Sequence, residues 1–186
     1  MAAFFKRFSL PQQRDLWLAR LYYFSYMGGM GFLAPFLNLF YTSQVGLNGK
    51  QIGTLASTGA VIGLISAPLW ANEVKKHSHP RFLLQIALLC SATAYVLIGY
   101  QGTFLPILVF VAIQAASGAG ISPMSDTMAV TVTRASDTGY GSVRMFGSLG
   151  WIFVVPFSGW LIERFGFSPG FWGLALAYAL GSSLLF

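Results

Sequence analysis

Charged residues and cysteines are both scarce in this sequence of 186 residues. Only 9% of the residues are charged, whereas a soluble domain needs roughly a quarter to cover its surface. This scarcity argues against a soluble fold. Cys90 is the single cysteine, which excludes an internal disulfide and a thiolate zinc site. Because Cys90 lies in an apolar run, we expect it to be a small buried hydrophobic residue.

Alternation of polar and apolar residues is also missing. No segment alternates over the roughly ten residues that a strand of a membrane barrel requires. Instead, the hydrophobic residues, 55% of the chain, form long runs, and the mean hydropathy is +0.65. These runs predict an all-α membrane protein with one domain over residues 1–186, a bundle of six transmembrane helices. The predicted spans are 16–41, 52–71, 82–100, 104–133, 142–162 and 167–186.

Small residues and a proline interrupt the apolar runs at several places. Such residues permit close packing of helices, but they also line cavities or let a helix bend, and the sequence leaves these alternatives open. The fourth span is expected to kink at Pro123. The small residues concerned are Gly28, Gly29 and Gly31, then Gly59 and Gly63, then residues 115–120.

The positive charges lie at the ends of the apolar runs and form no basic stripe. Despite a net charge of +6, this placement indicates membrane orientation, and we expect no nucleic-acid partner. Nine Lys and Arg residues fall on one side and two on the other. The excess predicts a multi-pass protein of the cell (inner) membrane with both termini in the cytoplasm. The nine are Lys6, Arg7, Arg14, Arg20, Lys75, Lys76, Arg81, Arg134 and Arg144; the two are Lys50 and Arg164.

Two charges, Asp126 and Arg144, interrupt the fourth and fifth spans. Each lies nine positions from Ala135, the centre of the intervening loop, so in a helix hairpin both would have the same depth. A charge within a membrane is costly, and the two can therefore pair or share a polar ligand. The alternatives are that Arg144 reaches the interface and that Asp126 belongs to a loop.

Trp151 follows Arg144 by seven positions, two helical turns, and so lies on the same helix face. An aromatic ring beside a charged pair suits a sugar ring or another flat ligand. The alternative is an indole that faces lipid or the protein core.

The segment YGSVRMFGSLGW, residues 140–151, resembles the start of the fifth helix in the lactose permease-like group of the major facilitator superfamily. This group contains proton symporters of oligosaccharides and nucleosides. YYFSYMGGMGFLAPF and APLW resemble its first two helices, so the chain corresponds to the N-terminal six-helix half. The resemblance implies substrate-binding roles for Asp126, Arg144 and Trp151. It also implies a C-terminal six-helix half, absent from this chain, that carries most of the proton-coupling residues.

The segment after the second span departs from the superfamily pattern. The pattern has a Gly and, four residues later, an Asp in a gating loop, but the chain has Ala71 and Lys75. Glu73 or Asn72 is a possible substitute for that Asp, and an ordinary basic anchor is the alternative. His77 and His79 nearby are too few for a metal site, so neither a metal nor another cofactor is expected.

These features together predict a secondary active transporter, a proton-coupled symporter of a small polar solute such as a sugar, nucleoside or aromatic acid. Its expected partners are the solute, a proton, the lipid bilayer and the absent half, with alternating access between the halves. The alternative is a non-transporting half-transporter that acts as a membrane receptor or interaction subunit, which Lys75 favours. An enzyme is not expected, because Asp126 is the only acidic residue placed within the spans.

Overall fold

The computed structural model describes residues 10–76, 80–135 and 138–185, and these residues form helices without any strand. The expectations for Lys6, Arg7, His77, His79 and Phe186 concern positions outside the described residues. The longer helices are α1 (Leu10–Leu33), α2 (Gly49–Lys76), α3 (Pro80–Gly99), α4 (Phe104–Gly118), α5 (Ile121–Ala135), α6 (Gly141–Phe165) and α7 (Ser168–Ser183).

Two prolines account for interruptions in the helices. Pro35 follows the end of α1, and the chain continues as a 3-10 turn (Ala34–Phe36), a short α-helical turn (Leu37–Leu39) and a π-helical turn (Phe40–Gln44). The fourth predicted span corresponds to α4 and α5, with a break at Ala119–Gly120. Pro123 lies just beyond the break. It offers no amide hydrogen to the carbonyl of Ala119, and its ring crowds that carbonyl.

Helix α1 is surrounded by α5, α6 and α7. Its residues Tyr22, Tyr23 and Tyr26 are buried. Helices α1 and α6 approach closely near Gly150, where an added Cβ would collide with the carbonyl oxygen of Phe24. Glycine is therefore required for this crossing, as in the close-packed interfaces of other membrane helices.

Helices α2 and α3 form the other side of the bundle. Helix α3 packs against α4 and α7, whereas α2 packs mainly against α4 and buries only Leu55 and Ser66. The described residues leave the small residues in the middle of α2 largely uncovered. Among the described residues, a Cβ at Gly63 would have no atom within 4 Å, and one at Gly59 would meet only Val111 at 3.7 Å.

Four segments within the described ranges are long and apolar enough to cross a membrane: Gly49–Lys76, Pro80–Gly99, Phe104–Arg134 and Gly141–Phe165. Helix α1 is less apolar because it is rich in Tyr and Gly and carries charges near its start. Its tyrosines face protein, so they do not need to be lipid-compatible. Helix α7 has 16 residues, fewer than a full span. The count of six spans remains a prediction.

Two local expectations differ from the structure. The expectation that Cys90 is buried is wrong, because Cys90 lies on the exposed face of α3. Glu73 and Lys75 were expected in a loop, but α2 runs to Lys76, so both residues lie on the last turn of the helix.

Candidate functional site

Asp126 of α5 and Arg144 of α6 form an ion pair. The distance between Arg144 Nη1 and Asp126 Oδ1 is 3.3 Å, and the side chains are 47% (Arg144) and 39% (Asp126) exposed. The pairing expected from their equal distances to the loop is thus present. Both groups remain accessible to a ligand, because neither side chain is enclosed by the described residues.

Two tyrosine hydroxyls complete this pair. Tyr23 of α1 donates a hydrogen bond to Asp126 Oδ1 at 2.7 Å, and Tyr140, just before α6, donates to the same oxygen at 2.6 Å. Arg144 Nη1 donates to the Tyr140 hydroxyl at 2.8 Å, closer than its approach to the carboxylate. Tyr140 therefore bridges the two charges, and three helical segments meet at one carboxylate oxygen.

The second carboxylate oxygen and part of the guanidinium remain available. Within the described ranges, Asp126 Oδ2 accepts no hydrogen bond, and Arg144 uses only Nη1. A carboxylate accepts at both oxygens and an arginine has five N–H donors. The site can thus accept a hydrogen bond from a ligand hydroxyl and donate several to ligand oxygens.

A buried contact beside Asp126 fixes this part of α5. The Tyr22 hydroxyl and Ser125 Oγ are 2.5 Å apart, and both residues are fully buried. Because Ser125 donates its own hydrogen to the carbonyl of Ile121 at 2.6 Å, Tyr22 must be the donor to Ser125. The neighbouring tyrosines Tyr22 and Tyr23 thus hold adjacent residues of α5 and set the orientation of Asp126.

Trp151 lies two turns after Arg144 on the uninterrupted helix α6, and 38% of it is exposed. Gly147 and Gly150 of the same helix pack against α1. The exposed part of the indole is not taken up by the α1–α6 interface and remains available for contact. The substrate-binding roles of Asp126, Arg144 and Trp151 remain predictions.

The two residues predicted for the gate lie apart from this pair. Glu73 contacts Lys76 at 2.9 Å, one turn along α2, and Lys75 is exposed. None of the hydrogen bonds or ion pairs of the described residues joins them to Asp126, Arg144 or Trp151. In the same ranges, no group of three His, Cys, Asp or Glu side chains could hold a metal ion.

Sequence reasoning missed Tyr23 and Tyr140. A signal existed for Tyr140, since it precedes Arg144 by four positions and so lies one helical turn away. Tyr23 is 103 positions from Asp126, and no local pattern relates the two.

Comparison with known proteins finds relatives that are named as permeases or transporters. The chain is 28% identical over 164 residues to maltose permease of Geobacillus stearothermophilus, covering 88% of the chain and 42% of that protein. It is 29% identical over 135 residues to the uncharacterized transporter YwbF of Bacillus subtilis, covering 72% of the chain and 33% of the relative. Identity to the probable 3-phenylpropionic acid transporter of Escherichia coli is 26% over 169 residues, covering 83% and 40%.

The chain thus spans less than half the length of these three relatives. The model of the MFS_1 like family matches residues 16–185, nearly the whole chain. Together with the long apolar helices, this match indicates a multi-pass membrane protein. The chain belongs to the MFS_1 like family and is a member of the major facilitator superfamily.

Proposed function

We propose that this chain is the N-terminal, six-helix half of a secondary active transporter that moves a small polar solute together with a proton. The observation that carries the proposal is the Asp126–Arg144 pair, whose hydrogen-bonding capacity is only partly used. In an otherwise apolar bundle, such a pair costs free energy in lipid. A ligand-binding role would explain its presence.

Each site residue has a distinct role in this proposal. Arg144 donates hydrogen bonds to substrate oxygens, Asp126 accepts them from substrate hydroxyls, and Trp151 packs against a ring of the substrate. A sugar or nucleoside fits all three roles, and an aromatic acid fits Arg144 and Trp151. The names of two relatives, a maltose permease and a probable 3-phenylpropionic acid transporter, support both classes.

The proposed arrangement follows the charge distribution. Both ends of the six-helix unit face the cytoplasm of the cell (inner) membrane, and a second half of the transporter completes the site. Rocking of the halves exposes the site alternately to each side. Glu73 and Lys75, at the predicted cytoplasmic end of α2, are the proposed gating residues.

Uptake by the full gene product in proteoliposomes tests this function, with labelled maltose and labelled 3-phenylpropionate as probes. We expect an imposed pH gradient, acidic outside, to drive accumulation of one probe, and Arg144→Ala to abolish binding of that probe. Arg164→Ala, at the other end of α6, is the matched control and should bind normally, because Arg164 lies over the ring of Trp160 and far along the helix.

Normal probe binding by inserted Arg144→Ala protein would contradict the site. Probe uptake that is indifferent to the pH gradient would contradict proton coupling alone. Binding without uptake would instead support the alternative, a non-transporting half-transporter acting as a receptor or interaction subunit.

A further inference from the structure

A large cavity opens between α2, the start of α3 and α5. Its volume is about 670 Å³, within the range of small-molecule sites. The walls are mainly apolar and include Leu64, Trp70, Met124 and Met128. Trp70 is fixed in place, because its Nε1 donates to the carbonyl of Ala116 at 2.8 Å and its ring packs on Gly120.

This cavity is separate from the charged pair. Its α5 wall contains Met124, Thr127, Met128 and Thr131, which share one face of the helix. Asp126 belongs to the opposite face and contacts α1 and α6. An occupant of this cavity would therefore be distinct from a solute bound at Asp126 and Arg144.

Two cations line one end of the cavity. Lys75 is on the last turn of α2 and Arg81 on the first turn of α3, and both are exposed. Neither makes an ion pair with a described residue: Glu73 contacts Lys76, and Asp15 lines a small cavity beside Arg81 without pairing. The cavity thus combines an apolar interior with a positively charged mouth.

The length of the cavity matches one leaflet of a membrane. Leu64, towards the middle of α2, is eleven positions from Lys75, which corresponds to about 16 Å along the helix. The hydrocarbon core of a bilayer is about 30 Å thick, so one leaflet contributes about 15 Å. A lipid chain that enters the cavity would thus leave its headgroup level with Lys75 and Arg81.

We propose that this cavity binds an anionic phospholipid, with the phosphate at Lys75 and Arg81 and an acyl chain along α2 and α5. Basic pockets between transmembrane helices bind such headgroups. Charge complementarity favours a lipid over an uncharged helix of the absent half, which would leave both cations unpaired. Such a lipid can bind in whichever leaflet this end of α2 lies, so its binding does not depend on the proposed orientation.

Site-specific photo-crosslinking in the full gene product tests the proposal. A photoreactive benzoylphenylalanine replaces Thr127 in the cavity, or Leu105 on the exposed outer face of α4 as the reference position. The protein is reconstituted in vesicles of phosphatidylglycerol and phosphatidylcholine, and the adducts are identified by mass. A basic residue at a membrane surface favours an anionic lipid about fivefold, so we expect roughly tenfold or greater enrichment of phosphatidylglycerol at position 127.

Charge variants make the test specific. The double variant Lys75→Gln with Arg81→Gln should lower the enrichment at position 127 to the value at position 105, whereas exchange of the two cations (Lys75→Arg with Arg81→Lys) should preserve it. Lys76→Gln is the matched control, one residue along α2 but paired with Glu73, and should retain most of the enrichment.

Three results would overturn the proposal. They are equal lipid ratios at positions 127 and 105, an equal loss of enrichment in Lys76→Gln and in the double variant, and adducts at position 127 with a protein segment instead of lipid. The last result would assign the cavity to another part of the transporter.

Discussion

At the scale of single residues, the hydroxyl of Tyr140 takes part in two hydrogen bonds at once. It donates to Asp126 at 2.6 Å and accepts from Arg144 at 2.8 Å. The direct contact between the two charges is longer, at 3.3 Å, and without Tyr140 it alone would join them. Hydrogen bonds to charged groups are stronger than those between neutral groups, so this phenol has a larger effect on the pair than a neutral contact would.

Tyr140→Phe should therefore weaken binding of the transported probe while leaving the fold intact. A hydrogen bond to a charged group contributes about 1.5–3 kcal/mol, so we expect the Kd of maltose or 3-phenylpropionate to rise at least about tenfold. Equilibrium binding to the purified full gene product measures this. Tyr100→Phe, at an exposed tyrosine away from the pair, should bind as the parent protein does. An unchanged Kd in Tyr140→Phe would show that the bridge does not position the pair for the solute.

The sequence predicted this site only as far as local geometry reaches. Asp126 and Arg144 are 18 positions apart on either side of one loop, so counting residues was sufficient to bring them together. The donation from Tyr23 depends on how α1 lies against α5, a tertiary arrangement that no spacing encodes.

At the scale of helices, the glycines of α2 and α6 have opposite environments. Gly150 of α6 faces the backbone of α1, where a Cβ would collide with the carbonyl oxygen of Phe24. Gly63 of α2 has no neighbour within 4 Å among the described residues. The sequence shows only that both segments contain small residues, and contacts with neighbouring helices decide which of them are needed for packing.

Gly150→Ala should consequently destabilise the protein, and Gly63→Ala should not. Overpacking of a tight interface costs about 1–3 kcal/mol, whereas alanine in an open helix position is favoured over glycine by about 1 kcal/mol. Thermal unfolding in detergent, followed by loss of the monodisperse species, should show a lower Tm for Gly150→Ala only. Equal Tm values would contradict the α1–α6 crossing.

Helix ends were less predictable than helix cores. Pro35 and Pro123 are visible in the sequence, and both lie next to interruptions. The end of α2 had no such signal. The polar residues after Ala71 indicated a loop, but Glu73 and Lys76 form an ion pair one turn apart and lie within the helix.

At the scale of the whole molecule, the distribution of basic residues predicts the orientation in the membrane. In a background without other cysteines, Lys50→Cys and Arg164→Cys should react with a membrane-impermeant maleimide in intact cells, because the positive-inside rule places them outside. Lys76→Cys should react only after the cells are permeabilised. The reverse pattern would contradict the proposed orientation without affecting the Asp126–Arg144 site.

The central position of α1 has a consequence for biogenesis. This helix is made before α6 and α7, two of its main packing partners, which begin at Gly141 and Ser168, more than 100 residues after α1 ends at Leu33. At ribosomal rates of about 5–20 residues per second, α6 is synthesised roughly five to twenty seconds after α1. Its tyrosines and glycines suit protein neighbours better than lipid, so the nascent helix needs a protected environment, such as the insertion machinery, until the later helices arrive.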